Sequence, residues 1–219
     1  MNGSMSPPPP ETEKSLLRKT LRARRAAVPM SVRKMAGRQV ERLALAHRLV
    51  RRGRRIGFYI PAKGEIDILP LLNRALWMGA HCYLPMVPPR AGAWHGGKRL
   101  WFSRLGGVQR HWTVNRYGIP EYGHHDSRVR AWQLHVLFLP MLGFDAQGYR
   151  MGMGGGYYDT SLAFLARRRH WRKPLLVGVA FAAQRVERLP HDPWDIPVDA
   201  VVSERGWHAF ARRARGRHG

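Results

Sequence analysis

The chain has 219 residues, 44% of them hydrophobic and 10% aromatic, which is enough to bury about 70% of the surface its unfolded form would expose without a second domain. Its one cysteine, Cys82, excludes an intramolecular disulfide and cysteine-rich zinc sites, and no stretch approaches the roughly 18 consecutive apolar residues of a membrane span. With 38 Lys+Arg against 14 Asp+Glu, the formal charge of +24 points to an anionic partner, while the hydrophobic and aromatic content argues against pervasive disorder.

Residues 1–10 carry no charge and four consecutive prolines, so they read as a disordered leader and not as a signal peptide. A single domain is expected over 11–210, followed by a basic tail over 211–219, in a cytoplasmic, monomeric protein. Glu11 to Ala26 has good helix formers and no Gly or Pro, with Leu16, Leu17 and Leu21 forming a modest apolar stripe. Pro29 ends that region. Ser31 is the expected N-cap of a second helix reaching about Leu49, because Val32, Met35, Ala36, Val40 and Leu43 recur at helical spacing. Arg55 to Ile60 reads as a strand stopped by Pro61.

A helix from about Asp67 to Trp77, closed by Gly79, and a strand from His81 to Val87 complete a crossover unit. Residues 88–130 are rich in Gly, Pro, His and Arg and read as an irregular insert, with Leu100 to Phe102 and Thr113-Val114 as short extended pieces. Leu134 to Leu139 is a nearly continuous apolar run, as expected of a parallel strand covered on both faces. A helix is predicted from Tyr157 to about Arg168, and further strands at Leu175–Ala180 and Ala200–Val202. The alternation predicts an α/β fold: one three-layer domain, a mostly parallel sheet with helices on both faces.

Basic residues come in runs, at Arg22–Arg25, Arg51–Arg55, Arg167–Lys173 and Arg212–Arg217. Such runs can hold nucleic acid, and equally can be a solvated surface whose field favours nucleotides and other polyanions. The second reading is preferred, since no nucleic-acid module accompanies the charge.

The segment with the most chemical content is Gly148 to Asp159, between a buried strand and a helix. Gly152, Gly154, Gly155 and Gly156 allow positive φ and close approach of a ligand, and their amides can cradle phosphate beside the cation Arg150. The Lys-Ser/Thr ending of a Walker A loop and the dinucleotide spacing are both missing. Asp159, directly behind the glycines, is the kind of carboxylate that shares Mg²⁺ with phosphates. Without that context the same loop would read as a flexible turn.

The run Leu139 to Asp145 followed by Gly148 to Asp159 resembles the signature of the 5-formyltetrahydrofolate cyclo-ligase family, and the resemblance extends from Lys14 to Glu204. Lys14-Ser15-Leu16-Leu17-Arg18 is similar to the family's Lys-x-x-Leu-Arg element, and Tyr59 to Asp67 to the stretch that contacts folate. Tyr117 to Glu121 resembles a Gly-Ile-x-Glu element, although Tyr122 replaces its usual following proline. Leu189 to Asp199 is similar to a late loop carrying a second metal-binding aspartate, with Trp194 where many relatives have histidine. The fold it implies is similar to the NagB/RpiA/CoA-transferase class.

The resemblance implies an ATP-dependent ligase that converts 5-formyltetrahydrofolate to 5,10-methenyltetrahydrofolate with release of ADP and phosphate. Implied ATP contacts are Lys14, Arg18, Arg150, Gly152, Met153, Gly154, Gly155, Gly156, Tyr157 and Tyr158, with Arg150 and Tyr157 catalytic. Implied substrate contacts are Ile60, Glu65, Glu121, Met153 and Tyr157, and implied Mg²⁺ ligands are Asp159 and Asp195. Tyr158 is alternatively plain core, and Asp145 is read as capping its turn in preference to acting as a third acid. Possible substrates include polyglutamylated folates. Two other readings remain: a basic nucleic-acid-binding protein, and a family relative acting on another formyl amide.

Overall fold

The computed structural model describes residues 12–88, 97–106, 112–115, 118, 120–122, 128–167 and 173–210. The expected leader and basic tail, Tyr117, and most of the Arg167–Lys173 run lie outside them. Helix α1 spans Glu13–Ala26 and α2 spans Met30–Ala46. The side chain of Thr12 caps α1 by accepting from the Ser15 amide, whereas α2 starts one residue before Ser31, with Pro29 at its cap and no side-chain cap. Proline's fixed φ sets the entry angle there, so Ser31 falls inside the first turn. Helix α2 also stops short of Leu49, which is buried in the core beyond it.

Strands β1 (Arg55–Gly57), β2 (His81–Met86), β7 (Val136–Pro140), β10 (Leu175–Val179) and β11 (Ala200–Ser203) form the parallel centre of an eight-stranded sheet. Their order is β11-β10-β7-β1-β2. Helix α3 (Leu69–Trp77) connects β1 to β2. The insert is less irregular than its composition predicts. It supplies β3 (Trp101–Arg104) and β6 (Arg128–Val129), which extend the sheet antiparallel beyond β2, and a separate pair β4 (Trp112–Val114) and β5 (Pro120–Tyr122). Phe102 and Ser103 are fully buried, so tertiary contact decides a strand that local propensity left weak. At the other edge β12 (Gly206–Ala209) runs antiparallel to β11.

The central strands alternate between two apolar layers. Ile56, Val136, Phe138, Val177, Val179 and Val202 face α2 and α3, meeting Ala36, Val40, Leu71 and Ala75. Leu137, Leu139, Leu176 and Val201 face the opposite layer, where Leu162 and Leu165 close the core. Leu162 ends α4 (Tyr157–Leu162), which tightens into a 3-10 turn over Ala163–Arg167 and so is shorter than the expected α-helix. Helices therefore cover both faces of a mostly parallel sheet, which is why the strands read as continuous apolar runs.

Helix α1 lies outside these layers, against a hairpin of β8 (Gly143–Phe144) and β9 (Arg150–Met151). Fully buried Leu21 meets Leu142, Met151 and Leu189. A Cβ on Gly143 would sit 2.6 Å from a Leu21 methyl, so glycine permits this close approach.

Candidate active site

Helix α1 presents Lys14, Arg18, Leu21 and Arg25 on one stripe, four, seven and eleven positions apart, a span of about 16 Å. Leu21 anchors the stripe, and each cation touches a different loop. Lys14 Nζ lies 2.7 Å from Asp192 Oδ2 in the late loop. Arg18 Nε donates to the carbonyl of Gly152 at 3.2 Å, and its guanidinium carbon is 3.6 Å from where a Cβ on Gly154 would stand. Arg25 Nη1 lies 3.4 Å from Glu65 Oε1. The Glu65 loop directly follows the carboxyl end of β1, and the other two lie in the connections that leave the carboxyl ends of β7 and β10, where ligands of open α/β sheets bind.

The glycine loop runs from the end of β9 into α4. Gly154 has φ of 99° and Gly156 of 71°, both left-handed, so glycine is required at these two turns of the loop. Gly152 has ordinary φ and open space where a side chain would be. Met153 is 58% exposed at the loop's outer side. Lys98 approaches from the insert, its Nζ 4.0 Å from the Cβ position of Gly156.

Arg150 is almost completely buried at 7% side-chain exposure, while its partner Asp159 is 52% exposed. One guanidinium nitrogen donates to Asp159 Oδ1 and another to the carbonyl of Ile196 in the late loop. Burial lowers the Arg150 pKa, and the charges of Asp159 and Asp195 oppose that shift. The two aspartates thus share the field of one buried cation. Asp195 Oδ2 accepts from the Asp192 amide at 2.9 Å, and the Asp195 amide donates to the Asp192 carbonyl at 3.0 Å. Asp145 holds the hairpin: Oδ1 accepts from the amides of Gln147 and Tyr149, and Oδ2 from that of Leu189. Fully buried, it caps its turn, as the sequence favours, and ties the late loop to the hairpin. Tyr149 and His191 stack with ring centroids 3.6 Å apart across the same junction.

In the loop after β1, Glu65 Oε2 accepts from the Ala62 amide at 3.0 Å, and Tyr59 Oη donates to the Ile66 carbonyl at 2.9 Å. Burial raises the Glu65 pKa, while the Ala62 amide and Arg25 oppose it. Burial, then the charges of Glu65 and Tyr158, push the Tyr59 phenol well up. Tyr158 is likewise raised, by burial and then by Glu65. Tyr158 therefore lies within electrostatic reach of Tyr59, Glu65 and Arg150, which brings the β1 loop near the start of α4. Half-buried Ile60 leans on the α2/α3 core, and Tyr157 on the opposite one.

Glu121 is placed differently. It is buried in β5, where Oε1 accepts from the Val87 amide at 2.7 Å and from Asn115 Nδ2 at 2.9 Å. Its hydrogen bonds go to the end of β2 and to the insert, and not to the glycine loop. Arg25, Lys98 and Asp192 escape the sequence reading. Arg25 was within reach of it, seven positions beyond Arg18 on a helix stripe. Lys98 carries no comparable signal.

For a divalent cation, Asp159 and Asp195 are the oxygen donors at hand. Among the described residues no group of three or more His, Cys, Asp or Glu converges to hold a metal unaided. Two carboxylates flanking the glycine loop are the kind of donor set that suits Mg²⁺, which takes one or two carboxylates together with phosphates.

A model of the 5-formyltetrahydrofolate cyclo-ligase family matches residues 10–204. The chain belongs to the 5-formyltetrahydrofolate cyclo-ligase family. The 5-formyltetrahydrofolate cyclo-ligase of Escherichia coli K12 is 31% identical over 187 residues, covering 84% of this chain and 96% of that one. The mouse enzyme of the same name is 25% identical over 189 residues, covering 86% and 92%. In three dimensions the 5,10-methenyltetrahydrofolate synthetase of Aquifex aeolicus superposes with a TM-score of 0.72 at 31% identity, over 95% of this chain and 97% of that one. The synthetase from Mycoplasma pneumoniae, at 20% identity and a TM-score of 0.63, supports the fold. The family is one of ligases acting in one-carbon folate chemistry, so the α/β fold and the enzyme class expected from the sequence both stand.

Proposed function

We propose that this chain converts 5-formyltetrahydrofolate and MgATP into 5,10-methenyltetrahydrofolate, ADP and phosphate, as a cytoplasmic monomer. The observation that supports this reading is the single stripe of α1 whose cations contact the late loop, the glycine loop and Glu65.

An N-formyl group is an amide, and its oxygen leaves poorly. Attack of that oxygen on the γ-phosphorus of ATP expels ADP and gives an iminium phosphate; nitrogen 10 then attacks its carbon, and the C–O bond breaks as phosphate departs with its electron pair and takes up the proton released from nitrogen 10. The protein's part is positioning and charge neutralisation, as in phosphoryl transfer generally. Glycine-loop amides at Gly152, Gly154, Gly155 and Gly156, with Met153, Tyr157 and Tyr158 around them, hold the nucleotide. Lys14, Arg18 and Arg150 offset its charge, and Lys98 is placed to add a fourth cation. Tyr157 packs against the reacting ends, Glu65 accepts from an aminopyrimidine edge of the pterin beside Ile60 and Met153, and Glu121 is kept as a more distant substrate contact. Asp159 and Asp195 would hold Mg²⁺, which supplies charge neutralisation between the terminal phosphates when bound.

Without ligands the cations and carboxylates neutralise each other in pairs, Lys14 with Asp192 and Arg150 with Asp159. On binding MgATP, Lys14 and Arg150 would be available to phosphate, and Asp159 with Asp195 would be available to hold the metal.

The test is the rise in near-ultraviolet absorbance of the methenyl chromophore when purified protein meets 5-formyltetrahydrofolate. A rise that needs both ATP and magnesium is expected. Folded protein that binds ATP but gives no rise would sink the reading and direct a screen to other formyl amides.

A further inference from the structure

The active site occupies the carboxyl ends of the parallel strands, and the amino ends form the opposite edge, where cations collect. Arg55 opens β1 in register with His81, which opens β2. His135 directly precedes β7 and accepts from the Arg55 amide at 3.0 Å through Nδ1. Lys173 lies just before β10. The His135 pKa is lowered by burial and then by Lys173, Arg55 and Arg54; that of His81 is lowered by burial and then by Arg104 and Arg55. The charged groups acting on both imidazoles are all cations.

This edge continues into a surface groove of about 420 Å³ between the carboxyl ends of α2 and α3. Arg48, Arg51, Arg74 and Trp77 line it over an apolar floor. Arg54 Nη1 donates to the Arg48 carbonyl at 2.8 Å, joining groove and edge. Trp77 is 80% exposed, with the Arg74 guanidinium 5.5 Å from its ring centroid. Arg74 also pairs with Glu41 at 3.1 Å, whereas among the described residues Arg48 and Arg51 make no ion pair.

We propose that this edge binds a single-stranded polynucleotide, with phosphates along Arg48, Arg51 and Arg54 and a base stacked on Trp77. Rows of cations answer the regular charge of a phosphate backbone, and an open aromatic face receives any base whatever its sequence. An acidic peptide would use the arginines but gain little from the indole. The surface lies across the sheet from the glycine loop, so the two sites fill independently, and the proposal does not depend on the reaction assigned above.

The experiment is fluorescence anisotropy of labelled oligouridylate with the full chain, over a range of salt and with or without MgATP. The variants are Arg48→Asn with Arg51→Gln, and Trp77→Ala. Arg48 has φ of 53°, a conformation asparagine tolerates, so the double variant removes charge without strain. Affinity should fall with salt, the double variant should lower the logarithmic salt slope by about 1.4, and Trp77→Ala should weaken binding at least about fivefold. Circular dichroism and turnover should be unchanged, and MgATP should not displace the oligonucleotide. Displacement by MgATP would put the strand in the active site. An unaltered slope in the double variant would assign binding to other arginine runs. Equal binding of heparin or anionic vesicles, indifferent to Trp77, would make the surface a general polyanion patch. Each of these outcomes, or no binding at low salt by folded protein, overturns the proposal.

Discussion

Arg150, at 7% side-chain exposure, is held between the carboxylate of Asp159 and the carbonyl of Ile196, so one buried guanidinium joins the start of α4 to the late loop. Asp159→Asn keeps a hydrogen-bond acceptor for Arg150 but removes the charge that a metal and a phosphate-bound cation would need. Turnover should be abolished, with a loss of stability of about 1 kcal/mol or less because the carboxylate is half open to water. Steady-state kinetics and urea melts check both; wild-type turnover would remove Asp159 from the metal site.

Lys14 pairs with Asp192 at 2.7 Å, and in the proposed reaction it exchanges this partner for phosphate. Lys14→Ala is expected to raise the KM for ATP about tenfold, by loss of a charged hydrogen bond, with the KM for the folate little changed. Lys98→Ala should act in the same direction. An ATP dependence identical to wild type would sink the assignment of whichever lysine was replaced.

The glycines of the loop separate by conformation. Gly154→Ala forces a side chain into φ of 99° beside Arg18, which should lower both stability and kcat/KM. Gly152→Ala meets no atom within 4 Å, so stability should hold while the KM for ATP rises if the nucleotide fills that space. Thermal melts and initial rates distinguish them, and an unchanged KM in Gly152→Ala would place the nucleotide elsewhere.

Glu65 gives a pH signature. Its folded pKa lies above the ordinary value of 4.5, so over the window above 4.5 the native state holds more of this proton than the unfolded chain. Stability from this group is present below that window and declines as pH rises through it. Wild type should therefore lose stability relative to Glu65→Gln on going from acid towards neutral pH. A difference independent of pH, measured by urea unfolding, would refute the raised pKa.

Local pattern was enough for much of the fold. Leu134 to Leu139 could be read as a doubly covered strand because every side chain there except His135 is apolar, and the helix at Glu13–Ala26 because nothing in it breaks a helix. The antiparallel strands β3, β6 and β12 were harder, since their few residues gain their order from neighbours in the sheet. Pro29 overrode the cap expected at Ser31 by fixing the direction of entry into α2.

By itself the sequence determined which residue types the chemistry has at its disposal: four glycines before two tyrosines and an aspartate, a helix with cations at fixed spacing, and a charge of +24. Those are properties of neighbours along the chain, where backbone geometry sets the distances. Only the tertiary structure decided that Arg25 meets Glu65 across 40 residues and Lys14 meets Asp192 across 178. It also brought Lys98 beside Gly156 and turned Glu121 toward Val87 and Asn115. Such pairings arise from strand order and the burial of Leu21 under the hairpin, which fix partners far apart in sequence by packing.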